Sequence, residues 1–223
     1  MSLTFKPLSS LPEQHSVNYL WNHGSESDWQ DALAHYYDLL NTQTKALDRY
    51  MELLNAEEVA RLSPSDFYEF LHDKYFVWKY TQKNRLATTR KSLRKYVEQD
   101  RLSELADIQR RLFAAKRADA ESCLRIASEI RGLGTAGASG LLSILFPKDF
   151  GTVDQFVVKS LLEVEGLPQH TVLDEMKPDF LKVTHGALLV GILREKAAQL
   201  NRTFHTDFWT PRKIDMILWS VGR

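Results

Sequence analysis

The stretch IRGLGTAGASGLLSILFPKDFGTVDQFVVKSLL, residues 130–162, carries four closely spaced glycines and an apolar run. It also holds one acid, Asp154, between Val153 and the apolar Phe156-Val157-Val158. A helix over 120–130 is predicted to stop at Gly132, because glycine enters the left-handed turn without a Cβ penalty. Leu133 is apolar between two glycines, and a second helix over 136–146 follows, with Leu141, Leu142, Ile144 and Leu145 along it. Helix, Gly-Leu-Gly, helix leaves backbone N–H groups exposed beside a helix N-terminus, where the dipole favours an anion. The same glycines also read as an ordinary helix cap. Asp154 is equally two-sided. It opens a helix predicted over 154–164, where aspartate is a favoured N-cap, or it is a carboxylate placed for chemistry.

Outward from this stretch the periodicity is helical almost everywhere. SDWQDALAHYYDLL (27–40) repeats apolar residues at Trp29, Leu33, Tyr36 and Leu40, the three-to-four spacing of an amphipathic helix. A second helix is expected over 42–54 with Ala46, Tyr50 and Leu53 on its apolar side. The segment from Ser63 opens with a serine N-cap, Pro64 at the first helical position and Asp66 in the first turn. Its aromatics Phe67, Phe70, Tyr75, Phe76 and Trp78 are expected in the core. Further helices are predicted over 83–97, 103–116, 119–131, 178–200 and 211–220, the last signalled by Thr210-Pro211. No strand, linker or internal repeat stands out. The chain reads as all-α, one helical unit over 1–223 with two possible subdomains, 1–117 and 118–223.

Composition narrows the function classes. An apolar fraction of 43% over 223 residues suffices for a core. The single cysteine, Cys123, excludes an intramolecular disulfide and any four-cysteine metal or iron–sulfur site. No apolar run reaches the roughly 18 residues of a membrane span. MSLTFKPLSSLPEQ lacks the build of a signal peptide, so a cytoplasmic location is expected. Net charge is zero but unevenly spread: residues 1–73 hold 4 basic and 12 acidic residues, and residues 74–117 hold 13 and 4. That basic middle is either a solvated helix face or a surface for phosphates.

The spacing within 126–160 resembles that of the helix-hairpin-helix DNA glycosylase superfamily, the base-excision enzymes related to endonuclease III. In that family a small residue lies four positions after the second hairpin glycine, matched by Ala138, and an essential aspartate lies twenty positions after it, matched by Asp154 behind Val153. Val157 and Lys159 match the apolar and basic residues that follow. The resemblance implies that Gly132, Leu133, Gly134 and Thr135 meet a DNA phosphate and that Asp154 is catalytic. VWKYTQKNRLATTRKSLRKY (77–96) resembles the family's earlier helix, whose first polar residues fill the gap left by an extruded base. Gln82, Lys83 and Asn84 are the wedge candidates, and Arg85 and Arg90 the cations expected to accompany them on DNA.

Breaking the bond between base and sugar builds positive charge on the deoxyribose, which a fixed carboxylate stabilises while orienting water. The base must first leave the stack. Family members that also cut the backbone carry a lysine two residues after the second glycine; here that position is Ala136, which forms no Schiff base. The resemblance therefore implies a monofunctional DNA N-glycosylase acting on duplex DNA without a cofactor. The alternative is a non-catalytic helix-hairpin-helix module for DNA or protein binding. The seven histidines form no close metal-binding pair. Trp209 and Trp219 are expected to anchor the C-terminal helix, or else to line a base pocket.

Overall fold

Ser and Asn residues set the first five helix starts in this computed structural model, which describes residues 16–221. Residues 1–15, including the segment read above for a leader, and residues 222–223 lie outside the described residues. The chain runs through α1 (Val17–His23), α2 (Glu26–Leu39), α3 (Thr42–Glu52), α4 (Ala56–Ala60) and α5 (Pro64–Glu69). A π-helical stretch, Phe70–Tyr75, then leads directly into α6 (Phe76–Lys79). There follow α7 (Lys83–Glu98), α8 (Leu102–Ala114), α9 (Ala120–Ser128), α10 (Thr135–Leu145) and α11 (Gln155–Leu162). The last three are α12 (His170–Asp174), α13 (Val183–Phe204) and α14 (Pro211–Val221). The protein is all-α, and no strand occurs among the described residues.

Local chemistry accounts for these boundaries. Ser25 and Asp28 form a reciprocal capping box at α2. Ser63 accepts from the Asp66 amide with Pro64 in the first turn of α5, as expected from sequence. The helix expected over 178–200 starts only at Val183, because the chain around Pro178 turns, with the Phe180 amide on the Lys177 carbonyl. The π stretch adds an extra residue to its turn. It therefore shifts the register of Trp78 and Lys79 relative to an unbroken α-helix, and Trp78 meets Asp48 and Arg212 while Lys79 meets Asp154.

The inward face of α2 is the expected one: Trp29, Leu33, Tyr36 and Leu40 are all buried. α3 differs. Ala46, Tyr50 and Leu53 point outward, Leu53 being 78% exposed, and Asp48 and Met51 turn inward instead. The reason is electrostatic. Asp48, only 2% exposed, accepts from Trp78 Nε1 at 2.8 Å and from the Tyr36 hydroxyl at 3.1 Å. Arg212 of α14 lies 3.5 Å away. One buried cluster extends from Val17 to Leu218, with α2 packed on α14 and α14 on α11 and α13. Cys123 is a buried thiol within it.

Lys196 of α13 docks α1: its ammonium donates to the Trp21 carbonyl at 2.9 Å and sits 4.4 Å from the Trp21 ring centroid. Burial pushes this amine down to about 8 from 10.5. Between those values the unfolded chain binds the proton and the folded chain does not, so stability supplied by this group rises with pH from about 8 to about 10.5. Thermal unfolding of Lys196→Met should lack the gain in Tm that the parent shows between pH 7.5 and 9.5. An identical gain in the variant would assign it to other groups.

Candidate functional site

The turn between α9 and α10 is built on two glycines with different tasks. Gly132 sits at φ +96°, and a β-carbon there would lie 2.9 Å from the Thr89 carbonyl oxygen of α7. Glycine is needed on both counts. Leu133 is buried, and its amide donates to the Ile130 carbonyl at 2.9 Å. Gly134 is extended and N-caps α10 with no side-chain cap, and a β-carbon there would meet nothing within 4 Å. The first amides of α10, from Thr135 onward, thus begin a helix whose start is open. An uncapped helix start with space before it favours an anion.

Small residues on α10 let other elements close around it. The Tyr75 hydroxyl donates to the Gly137 carbonyl, and β-carbons at Gly137 and Gly140 would collide with the hydroxyls of Tyr80 and Tyr75 respectively. Ser139 Oγ accepts from the Val153 amide at 2.9 Å. Asp215 Oδ2 of α14 accepts from the Thr152 amide at 2.6 Å, and Ser143 and Thr152 share a hydroxyl contact at 3.1 Å. The residues just before Asp154 are therefore pinned from α10 on one side and α14 on the other.

Asp154 N-caps α11, accepting from the Phe156 amide at 3.0 Å and the Val157 amide at 3.5 Å through Oδ1. Its second oxygen faces Lys79 Nζ at 3.5 Å. Both side chains are largely enclosed, Asp154 being 17% and Lys79 12% exposed. Behind them lies a buried polar cluster. Arg212 donates to Asp215 at 2.8 Å, contacts Asp48, and lies 5.1 Å from the Trp78 ring centroid. Burial pushes the Asp215 carboxyl up to about 7, against the pull of Arg212 and the Thr152 amide.

The other expected site residues distribute unevenly. Gln82, Lys83, Asn84 and Arg85 are exposed at the start of α7, and Tyr80 ties that start to Gly137, with Arg85 5.7 Å from the Tyr80 ring centroid. Arg90, further along α7, donates to the His72 carbonyl at 2.9 Å and to Asp73 at 3.3 Å. Its guanidinium is committed to the π stretch. Lys159 is exposed on α11, 5.6 Å from the Phe156 ring centroid. Trp209 is buried edge-on against Trp29, whereas Trp219 is half-buried against Tyr36 and Phe156.

The surface of the described residues includes two open clefts. One, of about 460 Å³, is lined by Ser92, Lys95, Gln99, Arg131 and Gly132. The other, of about 230 Å³, lies among Trp21, Glu165, Gly166, Lys196 and their neighbours. Asp154 lines neither. Among the described residues no cluster of three or more His, Cys, Asp or Glu is arranged to hold a metal. Sequence reading missed Lys79, Ser139, Asp215 and Arg131. Only Arg131, a cation abutting the glycine turn, carried a local signal. No helix of the described residues is long and apolar enough to cross a membrane. No protein-family model, curated protein or solved structure matches the chain.

Proposed function

We propose that the chain binds duplex DNA through a helix-hairpin-helix made by α9 and α10, and that it hydrolyses a damaged or mismatched base from deoxyribose as a monofunctional, glycosylase-like enzyme. The observation that carries this reading is the enclosed Asp154–Lys79 pair, 3.5 Å apart and tied through Ser139 to the hairpin helix. Hydrolysis of an N-glycosidic bond separates charge: the sugar becomes cationic while the departing base takes the bond's electron pair. A carboxylate beside an amine supplies one partner for each. Asp154 stabilises the sugar and orients the water, whose oxygen bonds to the sugar carbon. Lys79 hydrogen-bonds the departing base, which ends with the proton that the attacking water gives up. Gln82, Lys83 and Asn84, at the start of α7, would fill the stack.

The second reading, a DNA-binding module without catalysis, is favoured by one fact: Asp154 lines neither open cleft. Incubating the protein with duplexes that each carry a different damaged or mismatched base, and scoring free base, decides between them. Release from none of a broad panel would leave the module.

DNA contact is checked apart from chemistry. Gly134→Asp puts a carboxylate where the anion is expected, and its β-carbon meets nothing within 4 Å, so folding should survive. Binding should weaken alike for every duplex sequence, because phosphate contacts position without reading bases. Unchanged affinity would reduce the turn to a helix cap. Borohydride should trap no covalent complex, since Ala136 offers no amine and Lys79 is engaged with Asp154. Trapping that disappears in Lys79→Met would instead make Lys79 a nucleophile.

A further inference from the structure

We infer that the 460 Å³ groove between α7 and the glycine turn is a second phosphate seat, taking a phosphodiester of the same DNA strand that the hairpin holds. The inference rests on the DNA-binding reading and adds a site on the far side of Gly132. Its walls are Ser92, Lys95 and Gln99 from α7, and Arg131 and Gly132 from the turn.

Arg131 is held in place before any ligand arrives. Its guanidinium lies 4.7 Å from the Tyr96 ring centroid, donates from Nη1 to Gln99 at 2.9 Å, and reaches Glu104 from Nη2 at 3.4 Å. Its backbone amide donates to the Tyr96 hydroxyl at 3.3 Å. Only two of its five N–H donors are committed. A guanidinium already fixed loses little freedom on binding an anion, and its planar fork suits phosphate oxygens. Glu104 does not cancel the charge, since it also pairs with Arg101. Lys95 is exposed on the facing wall and forms no ion pair among the described residues, so it is free to supply a second cation.

Spacing ties this groove to the hairpin. Gly134 lies three positions beyond Arg131, so their Cα atoms are at most ~11 Å apart. That reach admits a neighbouring phosphate of one strand, since each strand carries a phosphate per ~3.4 Å of rise. It also selects which flank of α7 meets DNA. Lys95 and Ser92 lie toward the hairpin, while Arg90 is bound to the π stretch on the other flank.

The test is a salt series of equilibrium binding to a plain mixed-sequence duplex. Parent, Lys95→Ala, Arg131→Gln, the double variant and Gly134→Asp are compared, with Arg110→Ala as an exposed control on α8. Lys95→Ala and Arg131→Gln should each weaken binding several-fold and lower the salt slope by about 0.9, and the double variant by about twice that. Arg110→Ala should change neither. Because Arg131 also packs on Tyr96, its variant counts only with a parent-like Tm, and Lys95→Ala carries the test otherwise. If Gly134→Asp weakens binding while the Lys95 and double variants keep the parent's slope, the groove holds no phosphate although the DNA reading stands. If the parent binds no duplex, the DNA reading fails and this inference with it. Inorganic phosphate is titrated in parallel. Tight binding of it, abolished by Lys95→Ala with the duplex slope unchanged, would make the groove a site for the free ion and overturn the proposal.

Discussion

Asp154→Asn should lower base release by about two to three orders of magnitude, the usual cost of removing a charge-stabilising group from an enzyme site, with little change in Tm. The substitution separates the two roles of this residue. Asparagine caps a helix about as well as aspartate, so the acceptor for the Phe156 and Val157 amides survives. What disappears is the negative charge facing Lys79. The pair is long at 3.5 Å and both side chains keep some exposure, so the Lys79 ammonium can turn to water and the fold should register the change only modestly. Affinity for duplex should hold or rise slightly, because a like charge has left the DNA side. Asp154→Ala supplies the contrast: it removes cap and charge together and should cost about 1 kcal/mol of stability in addition. Base release is measured on whichever duplex the parent cleaves, at matched protein and saturating DNA. An asparagine variant as active as the parent would remove Asp154 from the chemistry and leave it a cap.

What the sequence disclosed about this site follows from the range of the forces involved. The all-α class, the cap at Ser63 and the stop at Gly132 depend on neighbours within a turn or two, so spacing revealed them. Asp154 was visible as a helix start for the same reason. Its partner was not, because Lys79 is 75 residues away and lies in an aromatic run whose register the π stretch shifts. Asp48 shows the opposite trap. On periodicity alone an aspartate marks a solvent face, so Ala46, Tyr50 and Leu53 looked like the buried side of α3. The inward position of Asp48 makes sense only with Arg212 and Trp78 brought to it by tertiary packing. Arg90 looked like one more cation of a basic helix, and its commitment to the His72 carbonyl depends on how α7 packs against the π stretch. Long-range pairing decided each of these, and no local pattern encodes it.

That buried pairing gives the largest expected loss of stability. Arg212→Met should destabilise the protein by about 3–5 kcal/mol, because it fills similar volume but leaves Asp48 and Asp215 buried without their shared cation. For a chain of this size that is a fall in Tm of about 10 °C. One Asp48 oxygen already has no hydrogen-bond partner among the described residues, so the cluster is short of donors before Arg212 is removed. The loss should depend on pH in a defined direction. Asp215 is raised to about 7 in the folded protein from 3.8, so the folded chain binds a proton that the unfolded chain has released, and this group's contribution falls as pH rises between those values. Without Arg212 that carboxyl rises further, and the fall should continue above pH 7. The variant should therefore be closer to the parent at pH 5 than at pH 8. Adding Asp215→Asn should recover part of the loss, since an amide oxygen still accepts from the Thr152 amide without a buried charge. An Arg212→Met protein as stable as the parent at pH 8 would mean that water or another cation already serves these carboxylates. The consequence reaches the candidate site, because the Asp215–Thr152 bond fixes the backbone two residues before Asp154. Arg212→Met at pH 5, where it is folded, should still bind duplex through the hairpin yet release base more slowly, since its carboxylate is held less firmly against Lys79.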